Sequence, residues 1–253
     1  MDHKELLEAC TSIGFHLLEN GGEIYRVEET ILRICRAYGV EQVEAFAIPS
    51  SIVVTIDYGD GDFITKTRRI LRRNTDLDKV DRLNGLSRRI CAEKPDYPWV
   101  KEQIGRVMSG PVYPFFWKVT ATAAISLFFA LFFGGNLKDG VFALFAGAAI
   151  ALLGKWLAGV DANGFFITML SSGLVAVLAV AAVELGLADH TDKIIIGTLM
   201  NLVPGIAITN SMRDIIAGDI IAGMMKMTEA FLAAIGIAAG VTVPLAMLQS
   251  FLG

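Results

Sequence analysis

In KELLEACTSIGFHLLE, apolar residues fall at Leu6, Leu7, Cys10, Ile13, Leu17 and Leu18, one face of a helix. Asn20, Gly21 and Gly22 then interrupt the pattern. A second helix is predicted in EIYRVEETILRICRAYGV, where Ile24, Val27, Ile31, Ile34 and Tyr38 are spaced by threes and fours. Glu29 precedes Arg33 by four residues, the favourable order for a pair, and Gly39 stands where a C-cap belongs. From Val43 the period shortens to that of strands. β-Branched and aromatic residues predict strands near 43–48, 51–58 and 62–68, with Asp60-Gly61 as a hairpin turn. DKVDRLNGLSRRICAEK returns to a helical pattern, and PWVKEQIGRVMSG adds a short helix. This order reads as a small α+β domain over residues 1–110.

Beyond residue 110 polar positions become scarce. Apolar stretches lie near 117–133, 141–158, 165–187, 194–209 and 227–249. A membrane span needs about 20 apolar residues, so the first, second and fourth stretches are near the short limit. Residues 111–253 therefore predict a five-helix transmembrane domain. The fold class is an α-helical integral membrane protein of about five transmembrane helices, with the α+β domain in front and the lipid bilayer as its surroundings. Ala143, Gly147 and Ala151 form a small-xxx-small line, and Gly236 and Gly240 form GxxxG, which permits close helix approach.

Charge sharpens the division. The chain has 253 residues and a net charge of -4, but residues 1–118 hold 17 of the 22 Lys/Arg and 18 of the 26 Asp/Glu. The N-terminal domain, Lys118, Lys155, Arg213 and Lys226 fall on one side of the bilayer, against Lys138 and Lys193 on the other. That bias predicts a cytoplasmic N-terminal domain. A near-neutral total gives no case for nucleic acid. The three cysteines lack CxxC spacing and the three histidines are scattered, so no metal site and no cofactor is expected. No HExxH, GxSxG or P-loop pattern is present, and residues 1–110 offer no nucleophile–base pair, so the expectation is not an enzyme.

Candidate chemistry gathers in NLVPGIAITNSMRD. Pro204 removes a donor and clashes with the preceding turn, and Gly205 adds backbone freedom. A broken helix that lines a cavity is a common solute site in transporters. Asn201, Thr209 and Asn210 supply polar side chains, and Arg213, Asp214 and Asp219 are expected at the cytoplasmic mouth. The other reading is a plain proline kink followed by an ordinary charged loop. Lys226 and Glu229 are three apart and able to pair, and Glu229 falls slightly inside the apolar zone, where an acid reads either as part of an ion path or as an interfacial group that reaches water.

Two stretches, NGGEIYRVEETILRICRAYGV and LVPGIAITNSMRDIIAGDIIAGMMKMTEA, resemble the signature segments of the threonine/serine exporter family, and RRNTDLDKVDRLNGL resembles its middle segment. Gly22, Glu23, Arg26, Val27 and Glu28 match the first motif, with no settled role. Pro204, Gly205, Arg213, Asp214, Gly218, Asp219 and Gly223 match the second. The resemblance implies an inner-membrane secondary exporter of small polar metabolites, threonine and serine or dicarboxylates such as succinate, driven by protons. It also implies the long subunit of a split exporter, with a separate small membrane subunit as partner; homo-oligomers are a further expectation. A membrane-anchored sensor or scaffold is the alternative from another class.

Overall fold

The computed structural model describes residues 1–59, 62–110, 113–160 and 162–252. The chain forms two compact units. One comprises Met1–Pro111 with Ile208–Met227, the other Val112–Ala207 with Thr228–Gly253.

The first unit opens with α1 (His3–Glu19) and α2 (Ile24–Ala37). Asp2 and Glu5 close a reciprocal capping box at the start of α1, satisfying donors the helix would leave orphaned. Gly22 makes the turn between the helices, and a Cβ there would stand 2.8 Å from the Leu17 carbonyl oxygen. Strands β1 (Val43–Ile48), β2 (Ser51–Asp57) and β3 (Phe63–Arg69) form an antiparallel sheet in that order. Ser51 faces Arg69 and Asp57 faces Phe63, so β2 and β3 are a hairpin pair; the expected turn at Asp60-Gly61 lies outside the described residues. β2 is central, and its Ile52, Val54 and Ile56 point into the core. Helices α3 (Leu77–Glu93) and α4 (Tyr97–Met108) follow, capped by Asp76 and Asp96. Ile13, Ile24, Ile31, Ile34, Leu83 and Ile90 fill the interior, and Ala222, far along the chain, belongs to the same cluster.

In the second unit, α5 (Phe115–Phe132), α6 (Leu137–Gly159) and α7 (Gly164–Glu184) are long and apolar. α8 (Thr191–Leu199) packs on α5. Small residues set these contacts. A Cβ on Gly197 would lie 2.5 Å from the Ala130 nitrogen, and one on Gly147 would lie 2.8 Å from the Thr122 carbonyl oxygen. Gly240 meets Met169 and Ser172 of α7 just as closely, so the GxxxG pair serves packing. Asp139 is fully buried. Its carboxylate accepts from the Asn136, Asp189 and His190 backbone nitrogens, each at 2.9 Å, and meets His190 Nδ1 at 2.8 Å. That acid ties the start of α6 to the loop before α8.

Among the described residues four helices are long and apolar enough to cross a membrane: α5, α6, α7 and Ile220–Leu248 of α10 (Ile220–Leu252). The expected fourth span is not a continuous helix. It is α8, an interruption over residues 200–204, then α9 (Gly205–Ala217). Pro204 supplies no N–H to continue α8 and stands immediately before α9, a position a proline tolerates. The last span begins earlier than its apolar run, because the expected connecting segment is itself the first two turns of α10.

Candidate functional site

The segment 208–227 folds back on itself as a helical hairpin. Gly218 turns the chain at φ +104°, a conformation open to glycine. The Asp219 backbone nitrogen then donates to the Asp214 carbonyl at 2.9 Å. Gly223 lets α9 and α10 touch: a Cβ there would lie 2.8 Å from the Ser211 carbonyl oxygen, and the buried Ser211 hydroxyl donates to the Gly223 carbonyl at 2.8 Å. Gly218 and Gly223 of the second motif thus set the geometry of this hairpin.

The hairpin buries charge. Asp214 is 0% exposed. Its Oδ2 accepts from Lys226 Nζ at 2.7 Å, while its Oδ1 has no hydrogen-bond partner among the described residues. Lys226, which the spacing also allows to pair with Glu229, reaches back across the hairpin to Asp214. An ion pair this enclosed is held by hydrogen-bonded geometry, since both charges have lost most of their water.

Arg213, one residue earlier, points to the N-terminal elements and donates through Nη1 to Glu23 Oε1. Glu23 is the N-cap of α2 and is nearly buried. Its other oxygen lies 2.5 Å from Arg26 Nε, an ion pair rather than an aligned hydrogen bond. Glu28, one turn further along α2, accepts from the Ala47 backbone nitrogen at 2.7 Å. Burial pushes the Glu28 carboxyl above its ordinary value; the Ala47 bond opposes this and the charge of Asp219 adds to it. Asp219 is raised in turn, by burial first and by Asp214 second, against the pull of Lys226. The cluster therefore holds four carboxylates, Glu23, Glu28, Asp214 and Asp219, against three cations, Arg26, Arg213 and Lys226.

The residues singled out from sequence are divided by the fold. Arg213, Asp214 and Asp219 join Glu23, Arg26 and Glu28 in one charged cluster inside the first unit. Gly22 shapes the approach to α2. Thr209 and Asn210 lie on α9. Asn201, Pro204, Gly205 and Glu229 belong to the second unit. There Asn201 is a structural clamp: its amide donates to Ser126 Oγ at 2.9 Å and to the Thr198 carbonyl at 3.1 Å, closing the end of α8 onto α5. Glu229 is exposed on α10. The sequence reading does not single out Asp139. The Asn136–Asp139 spacing, a capping-box pattern, is the signal for it. Among the described residues no group of His, Cys, Asp or Glu is arranged to hold a metal ion.

Comparison with known proteins agrees on the family. The profile of the family described as "Putative threonine/serine exporter" matches residues 8–248. A Mycobacterium tuberculosis protein named "Probable threonine/serine exporter" is 23% identical over 244 residues, 96% of this chain and 46% of that protein. The chain thus spans about half the length of that relative. An Escherichia coli K12 protein named "Probable succinate transporter subunit YjjP" is 25% identical over 241 residues, covering 93% of this chain and 92% of the relative. A Klebsiella aerogenes protein of the same name is 23% identical over 250 residues, 97% and 95% respectively. No solved structure matches the chain.

Proposed function

The chain belongs to the threonine/serine exporter family, a family of membrane exporters, and from that premise we propose that it is one subunit of a proton-coupled secondary exporter of threonine- or serine-type amino acids. It sits in the inner membrane with residues 1–110 in the cytoplasm. α8 and the break at Pro204, up to the start of α9, make the fifth crossing. A small membrane subunit completes the pathway, in keeping with the word "subunit" in the names of the Escherichia coli and Klebsiella relatives.

The charged cluster carries the substrate assignment. An amino acid brings one carboxylate and one ammonium group. In the cluster each cation already faces an acid: Arg26 and Arg213 face Glu23, and Lys226 faces Asp214. The surplus is acidic, in Asp219, Glu28 and the unpartnered Asp214 oxygen. Such a site offers an acid to an ammonium group and a proton-binding carboxyl to a gradient. The substrate carboxylate would take Arg213 by exchange with Glu23. A dicarboxylate needs two donors, and the cluster has none to spare. The names of two relatives favour succinate as the second reading, with the partner supplying the missing cations.

Counterflow of labelled threonine, serine and succinate into proteoliposomes tests this, with the chain alone and with its partner, with and without a proton gradient. Threonine or serine flux that requires the partner and responds to the gradient is the expected result. Succinate flux alone overturns the amino-acid assignment. Wild-type flux in both Asp214→Asn and Asp219→Asn, inserted normally, removes the cluster from the pathway.

A further inference from the structure

A second charged feature of the first unit lies outside the cluster's acids. The neighbouring faces of α2 and α3 enclose a groove of about 680 Å³. Arg26, Glu29, Arg33 and Arg36 line it from α2, and Asn84, Arg88 and Cys91 from α3. Their spacing, three, four and three on α2 and four and three on α3, puts each set on one helix face, beside the apolar face that enters the core. Arg26 leans on Glu23 and Arg33 on Glu29 at 2.6 Å. Arg36 and Arg88 make no ion pair with any described residue. Helix polarity favours Arg36 in the last turn of α2 but disfavours Arg26 in its first. Four guanidinium groups meet at one depression, two of them already balanced by Glu23 and Glu29; the positive charge left on Arg36 and Arg88 is what an anion would balance. The groove is within the usual range for small-molecule sites, about 300–1,000 Å³, and the arginines set fork-shaped donors into its partly apolar walls.

We propose that this groove binds a small molecule bearing two or more oxyanion groups, a phosphate ester or a polycarboxylate, gripped by Arg26, Arg33, Arg36 and Arg88. The site does not depend on the transport reading and stands if that reading fails. Its consequence reaches the cluster through Arg26, which an anion would draw away from Glu23, leaving Glu23 to Arg213 alone.

Cys91 reports on the groove directly. It is half-buried at the wall, whereas Cys10 and Cys35 are fully buried. Burial raises its thiol pKa, Arg33 lowers it, and an anion on Arg33 would slow its reaction as well as shield it. The full chain in uncharged detergent is treated with N-ethylmaleimide, and modification at Cys91 is followed by peptide mass spectrometry. Pyrophosphate and citrate are each compared with sodium chloride at equal ionic strength. At an anion concentration about ten times its Kd, modification should slow by about tenfold. Arg36→Gln/Arg88→Gln should lose the protection, and Arg106→Gln, on the exposed face of α4, should keep it. Arg88→Gln alone is the substitute if the double variant does not fold. Equal rates with and without either anion overturn the proposal. So does protection that survives loss of Arg88, or protection by phosphatidylglycerol vesicles but by neither free anion.

Discussion

Asp214 has lost all contact with solvent and keeps one partner, Lys226. Removing one member of such a pair strands the other, at about 3–5 kcal/mol. Lys226→Met should therefore lower the unfolding midpoint by about 10 °C. Asp214→Asn/Lys226→Met should recover most of that loss, because no buried charge is left over. Thermal scans of the purified protein read both; equal midpoints for the two variants would mean that Lys226 is replaced by water or another cation. Asp219 behaves in the opposite sense. Its carboxyl is raised above the ordinary 3.8, by burial first and Asp214 second. The native state then holds a proton that the unfolded chain has released, so stability falls as pH rises from 3.8 through the raised value. At neutral pH the penalty is fully present. Asp219→Asn should raise the midpoint at pH 7 by a few degrees, and the gap from wild type should close as pH falls below 3.8. A variant that is more stable yet transports less would mark Asp219 as kept for function against its cost to the fold. None of these pairings was readable beforehand. Sequence placed Arg213, Asp214 and Asp219 together, but Glu23 is 190 positions from Arg213, and separation of that size leaves no periodic trace.

At the scale of elements, apolar spacing was enough to foresee α1, α2, the three strands, α3 and α4, because each buries one regular face in a common core. Length and apolarity were enough for α5, α6 and α7. They failed at the fourth stretch, where hydropathy is continuous across Pro204 but backbone hydrogen bonding is not. The same blindness hid the α9–α10 hairpin, since Gly218 and Gly223 are also common inside membrane helices. Their roles differ from that background in a testable way. Gly223→Ala would push its new carbon onto the Ser211 carbonyl and the Ile215 nitrogen, both backbone, so the helices must separate. We expect a loss of about 1–3 kcal/mol. Gly105→Ala, in α4, meets nothing within 4 Å and should gain about 0.5–1 kcal/mol from helix propensity. Denaturant or thermal unfolding compares the two, and a gain at both positions would show that the hairpin is not tightly closed.

On the whole chain, the division into units cuts across sequence order. Charge and hydropathy place a change of solvent near residue 110, yet residues 208–227 pack with the elements before it. Ala222 is 3% exposed within the N-terminal core cluster, and Arg213 holds the residue that caps α2. A fragment ending at residue 110 therefore lacks part of its own core and leaves Glu23 with Arg26 alone. Hydrogen exchange should show the first turn of α2, from Ile24 to Val27, opening faster in that fragment than in the full chain. Fusing residues 208–227 through a flexible linker should slow that exchange again, and the same fusion carrying Arg213→Ala should slow it less. Equal protection in all of these would mean that the N-terminal elements are complete without the segment. If protection instead follows residues 208–227, the first turn of α2 is ordered by the same segment that carries the acids proposed to bind substrate. Any event at Asp214 or Asp219 would then be felt at Glu23 through neighbouring bonds within one compact unit, with no signal required to travel along the membrane helices.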